Sequence, residues 1–150
     1  MILTIPMKLP SCANLREHWA TRAKRVKAQR TAVWAAFRSR AIYGALSGVT
    51  AMLMRGEQLE ARLIRQSPRR LDDDNAVSSL KAARDQVAKE LGINDGGDSV
   101  VWTYSQRKGP ALLVIEIRPL ESSSIAAAVP PDEKRLKGGG IGLGINQEAP

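Results

Sequence analysis

From Asn75 to Gly92 the chain reads as a helix, with Val77, Leu80, Val87 and Leu91 recurring on one face and Gly92 supplying a stop. Asp74 or Asn75 is its natural N-cap. At roughly 100° per residue, Lys81 falls within about 20° of Asp74 and Asp85 lies near the same line. The apolar stripe sits roughly 100° away, so this polar line faces away from the core. A second, longer helical segment opens at Glu17-His18-Trp19 and runs to about Tyr43, with Leu15, Trp19, Ala23, Val26, Val33 and Phe37 as its apolar face.

Alternating patterns predict strands elsewhere. Ile2 to Leu9 reads as a short first strand before Pro10, and Leu59 to Ile64 as a strand that delivers Arg69, Arg70 and the acidic run after them to a strand end. Val100 to Gln106 places Trp102 and Tyr104 on one face and Val101 and Thr103 on the other. Arg107-Lys108-Gly109-Pro110 then turns the chain into Ala111 to Ile117, so the last two strands predict a hairpin. Val49 to Met54 suits either a strand or a continued helix. The expected fold class is α/β (α+β): a single domain over residues 1-118, with a mixed sheet of about four strands packed by the long helix and by the helix after Asn75. From Leu120 onward Ser, Ala, Pro and Gly dominate, and residues 119-150 are expected to form a disordered, low-complexity tail in which Ile125 to Val129 is a short apolar element.

Composition narrows the partners. The chain has 150 residues, 43% of them hydrophobic, enough for one core and too few for two. A formal charge of +8, from 23 Lys and Arg against 15 Asp and Glu, favours a polyanion. The charge is also clustered: Arg16, Arg22, Lys24, Arg25, Lys27, Arg30, Arg38 and Arg40 stand on the long helical segment with Glu17 as the local counter-charge. A solvated helix mixes signs, so this face is expected to bind phosphate. Arg107 and Lys108 at the predicted turn add a further phosphate-seeking point. One cysteine, Cys12, excludes an internal disulfide, and no apolar run approaches the ~20 residues of a membrane helix; a cytoplasmic protein is expected. His18 reads as a packing or hydrogen-bonding residue, and Trp19, Trp34 and Trp102 read as core.

The chemistry-bearing stretch is Arg69-Arg70-Leu71-Asp72-Asp73-Asp74-Asn75. Adjacent carboxylates repel unless a cation sits among them. On an extended segment Asp72 and Asp74 point one way and Asp73 the other. A second acidic segment, Asn94-Asp95-Gly96-Gly97-Asp98, follows the helix. With Asp95 brought to Asp72 and Asp74, an all-oxygen site suited to Mg²⁺ results, with Mn²⁺ as a substitute. One His and one Cys cannot build the usual zinc sets, and the glycine and terminal Glu of an EF-hand loop are missing after Asp74. The plain structural alternative makes Asp72 to Asn75 a charged helix cap and Asp95 and Asp98 turn residues.

The run Leu71-Asp72-Asp73-Asp74-Asn75, then Lys81 and Asp85, then Gly92-Ile93-Asn94-Asp95, resembles the RusA family of Holliday junction resolvases, above all its phage-borne members; Pro10-Ser11-Cys12-Ala13-Asn14 is similar to that family's Pro-Ser-x-Asn segment. Lys81 follows Asn75 by six positions where the best-known member has three, and Asn94-Asp95 stands where the family has an Asp pair, a departure for which Asp98 could compensate. The resemblance implies a Mg²⁺-dependent endodeoxyribonuclease of recombination and repair, acting as a symmetric homodimer on a four-way DNA junction without a small-molecule cofactor. It implies Asp72, Asp74 and Asp95 as metal carboxylates, Lys81 as the essential lysine, and Asn75, Asp85 and Arg69 as supporting residues. The alternative from another class is a non-catalytic basic DNA-binding accessory protein of recombination, and a related nuclease acting on RNA or flap DNA is a third reading.

Overall fold

Four strands form the sheet of the computed structural model, which describes residues 1–11, 17–94 and 96–120: β1 (Ile2–Pro6), β2 (Leu59–Ser67), β3 (Val100–Lys108) and β4 (Leu112–Pro119). Their spatial order is β1-β4-β2-β3. β4 runs antiparallel to both β1 and β2, while β2 and β3 are parallel, in register from Leu59 opposite Val100 to Ser67 opposite Lys108. A parallel pair needs a crossover, and α3 (Asp73–Leu91) supplies it. The mixed four-stranded sheet and the helix after the acidic run are as expected; the compact unit ends at Leu120. Cys12, Asn14, Leu15, Arg16, Asp95 and the segment from 121 on lie outside the described residues, and with them the expected tail.

The expected hairpin of the last two strands is not formed, because β2 lies between them. A short link therefore crosses the end of β2, where the Gly109 N–H donates to the Ser67 carbonyl at 3.3 Å. Gly109 has φ 158°, a backbone conformation that L side chains rarely adopt, and a Cβ there would also come within 2.6 Å of Gln66 Nε2.

Period-2 alternation sorts the strand residues onto two faces. Leu3, Ile5, Leu59, Ala61, Leu63, Leu113, Ile115 and Ile117 point into one core, with Trp102 and Tyr104 packed against it. The opposite face carries cross-strand polar pairs: Arg118 with Glu60 at 2.6 Å, Arg107 with Glu116 at 3.9 Å, and Thr103 donating to Glu60 at 2.9 Å. Burial pushes the Glu60 carboxyl up, but hydrogen bonds from Arg118 and Thr103, with the charges of Arg118 and Arg62, outweigh it and hold the group below its ordinary value.

The helices close the core side. Val33 and Phe37 of α1 (Trp19–Phe37), Val49 of α2 (Tyr43–Met54) and Leu80, Ala83 and Val87 of α3 are buried there. The expected single helix to Tyr43 is two helices. After Phe37 the Ser39 N–H bonds the Ala36 carbonyl at 3.2 Å and Ile42 bonds Ser39 at 3.0 Å, tight i→i+3 turns that redirect the chain. The ambiguous stretch Val49 to Met54 is helical, within α2.

Several residues expected on the core side are outside, Ala23 of α1 among them. Trp19 and Trp34 are 75% and 46% exposed, since the buried line of α1 runs through Gln29, Val33 and Phe37; Trp34 instead stacks under the Arg38 guanidinium. Val77 is also exposed, and Ala76 and Leu80 take the inward positions of α3. His18 has the hydrogen-bonding role expected of it, capping α1 by accepting from the Ala20 N–H at 3.3 Å.

Candidate functional site

The acidic run begins where β2 ends and α3 starts. Its approach, Pro68 to Leu71, is fixed by side chains beneath it. Arg65, only 5% exposed, donates through Nε to the Leu9 carbonyl at 2.9 Å and through Nη1 to the Arg69 carbonyl at 2.9 Å. Gln106 of β3 grips Leu71 from both sides, accepting from its N–H at 3.0 Å and donating to its carbonyl at 2.8 Å. Arg65 Nη1 also reaches Gln106 Oε1 at 3.4 Å, joining the two clamps. Burial lowers the Arg65 pKa from its ordinary value, and three carbonyl acceptors satisfy the charge it keeps. Neither residue was singled out from sequence; the available signal was an arginine continuing the inward row of Leu59, Ala61 and Leu63.

α3 starts earlier than expected. Asp72 is the N-cap, with extended backbone (φ −61°, ψ 152°), and Asp73 and Asp74 form the acidic first turn. The extended alternation that would have aligned Asp72 with Asp74 is therefore absent. Helix formation begins there because carboxylates in the first turn are stabilised by the helix dipole. Asp72 and Asp73, with Arg70 and Leu71, instead line one shallow recess. The Asp72 side chain makes no capping hydrogen bond, and among the described residues the carboxylates of Asp72, Asp73 and Asp74 have no hydrogen-bonding or ionic partner. All three are exposed, as are Arg69 and Arg70.

Two sequence segments of the site meet directly. Ser11, 8% exposed, donates its hydroxyl to Asn75 Oδ1 at 3.1 Å. The loop after β1 is thus fastened to the first turn of α3.

Lys81 and Asp85 lie further along α3. The unbroken helix keeps Lys81 on the line of Asp74, about 10 Å along the axis. Lys81 Nζ pairs with Asp85 at 3.3 Å, and Arg30 of α1 pairs with the other oxygen of the same carboxylate at 3.0 Å. The basic face of α1 is therefore less bare of counter-charge than its sequence suggests. Arg25 is ion-paired with Glu17, and Arg38 reaches Glu90 at 3.2 Å. Arg22, Lys24 and Lys27 remain exposed along α1, and Arg107 and Lys108 are exposed at the end of β3.

The second acidic segment follows α3, capped by Gly92 in the left-handed region (φ 68°). Asn94 is a turn former: its Oδ1 accepts from the Gly96 N–H and its carbonyl from the Gly97 N–H, both at 3.1 Å. It borders a recess with Lys81, Asp85 and Lys89. Asp98 is exposed, and its carbonyl accepts from Gln58 at 3.1 Å. Asp95, expected as the third metal carboxylate, lies outside the described residues. Among those described, no three His, Cys, Asp or Glu side chains gather closely enough to hold a metal ion. The helix between Asp72 and Asn94 is about 27 Å long.

No protein-family model matches the chain, and no curated protein sequence matches it. Among solved structures it is similar to a 2C-methyl-D-erythritol-2,4-cyclodiphosphate synthase at 19% identity and a TM-score of 0.32, over 55% of this chain and 53% of that one. A likeness of that size carries no argument about function. Among the described residues, no helix is long and apolar enough to cross a membrane.

Proposed function

We propose that this chain is a Mg²⁺-dependent, structure-selective endodeoxyribonuclease that resolves four-way DNA junctions. The observation that carries the reading is the run of three exposed carboxylates, unpartnered among the described residues, whose approach is clamped through backbone groups by Arg65 and Gln106 and whose following Asn75 is held by Ser11. Unpaired like charges at fixed positions are a cost in the free protein and an asset once a hard cation arrives.

The donor set fits Mg²⁺, which is commonly held by one or two carboxylates and keeps several waters. By the resemblance Asp72 and Asp74 would hold it, together with Asp95. When bound, the ion lowers the pKa of a coordinated water and offsets charge on the scissile phosphodiester. The chain's own groups do the rest. Arg69 and Arg70 bring the phosphate backbone to the acidic end, which would otherwise repel it. Lys81, whose side chain is 67% exposed, offers a mobile ammonium for the charge that grows on the leaving oxygen. Arg22, Lys24 and Lys27 on α1, and Arg107 and Lys108 beyond β3, bind the arms of branched DNA. A symmetric homodimer would place two such sites on opposed strands.

The test is cleavage of a synthetic four-way junction by the purified chain in Mg²⁺ and in EDTA, beside Asp74→Asn. Cutting only by the unaltered chain in Mg²⁺ supports the reading. A junction that is bound but never cut selects the alternative, a non-catalytic DNA-binding accessory protein. That alternative has its own support, since a helix N-terminus accounts for first-turn carboxylates without any metal.

A further inference from the structure

We infer that the cleft between α1 and α3 is a built phosphate pocket, separate from the acidic end and centred on Gln29. The cleft encloses about 170 Å³, and Arg22, Arg25, Arg30 and Lys81 stand around it, with Gln29 and Ser79 among its lining. The decisive feature is Gln29. It is 5% exposed, and its Nε2 is buried without a hydrogen-bond partner among the described residues. An orphaned buried amide donor is destabilising, so the free protein carries a penalty that an acceptor entering the cleft would remove.

The surrounding charges define that acceptor. Among the described residues two carboxylates oppose the four cations: Asp85 accepts from Arg30 and Lys81, and Glu17 from Arg25. A positive surplus remains, and the Ser79 hydroxyl is already committed to the Ala76 carbonyl at 2.7 Å. A compact tetrahedral anion matches this combination of several cations, one neutral donor and little space. A nucleobase is not called for, because the polar groups bordering the cleft are mainly cationic donors, which suit an anion. The source of the phosphate group rests on the DNA-binding reading, in which one backbone phosphate enters the cleft while the acidic end lies about 10 Å away along α3.

Two variants and two ligands test this in the full-length chain. Gln29→Leu keeps the volume and removes the orphan donor, so its thermal midpoint in chloride should hold or rise. Its affinity for junction DNA should fall about tenfold with an unchanged slope of log affinity against log salt, since no cation is lost. Arg22→Gln should instead lower that slope by about 0.9. Inorganic phosphate at matched ionic strength should raise the midpoint of the unaltered chain and leave that of Gln29→Leu where it is. If Gln29→Leu changes neither DNA affinity nor the phosphate response, the pocket is overturned. Should the chain bind no DNA while its phosphate response still depends on Gln29, the pocket stands with free phosphate as its ligand and the nuclease reading fails alone.

Discussion

Ser11 and Asn75, 64 positions apart in sequence, are joined by a hydrogen bond of 3.1 Å. This contact couples the loop after β1 to the start of α3, and so to the carboxylates beside it. Ser11→Ala should lower unfolding free energy by about 0.5–1.5 kcal/mol in urea titrations. It should also slow junction cleavage more than it weakens junction binding. Equal losses in both would make the bond a general stabiliser with no bearing on how the site is held.

Gln106 is the firmer support. Gln106→Leu strips partners from both backbone groups of Leu71, at a cost of about 2 kcal/mol or more. Gln106→Glu keeps the acceptor and loses the donor, and should recover part of that stability. If the Leu variant unfolds at the same urea concentration as the parent, the grip on Leu71 is not what fixes the approach to Asp72.

Asp74→Asn should abolish Mg²⁺-dependent cutting of a four-way junction and leave binding equal or tighter, because one charge that repels phosphate is gone. Gel-shift and cleavage assays on the same preparation separate the two effects. Residual cutting at the parental rate, with binding lost, would contradict the role given to this carboxylate.

Asp85 restrains two cations at once. Asp85→Asn frees Lys81 and Arg30, and should raise DNA affinity several-fold at low salt and steepen its salt dependence. Stability should change by no more than about 1 kcal/mol, since both partners are substantially exposed. A flat salt response would mean that neither cation is available to DNA.

Glu60 sets an acid limit. Its pKa is held below the ordinary 4.5, so the folded state favours the ionised form. That stabilisation is complete above the unfolded-state pKa and disappears as pH falls through the folded one. Glu60→Gln should therefore be less stable than the parent at neutral pH, and the two should converge in strong acid. A constant gap between the two stability curves across the acid range would remove Glu60 from the acid response.

Much of the architecture was legible along the chain. The apolar run from Ala111 to Ile117 announced a strand, and Leu80, Val87 and Leu91 before Gly92 announced a helix with its end. What stayed hidden was pairing. Two strands four residues apart suggested a hairpin, and nothing local revealed that β2 would lie between them. The ion pair of Arg30 with Asp85 joins residues 55 positions apart, so α1 looked uniformly basic. The acidic run was conspicuous as chemistry, but its geometry depended on where the first helical turn begins, and three adjacent Asp residues offer several starting points. Arg65 and Gln106 passed unnoticed because a clamp on backbone carbonyls leaves no pattern in side-chain spacing.

The position of β4 also governs the order in which the molecule can be completed during synthesis. β1 is made before the other strands, yet its sheet neighbour is β4, which is made more than a hundred residues later. Until β4 arrives, β1 and β2 expose unpaired edges and the apolar face between them, a state that invites association between nascent chains. Closure of the sheet therefore waits on its last strand, and a chain stopped before Leu112 would have a beginning and a middle with nothing to join them.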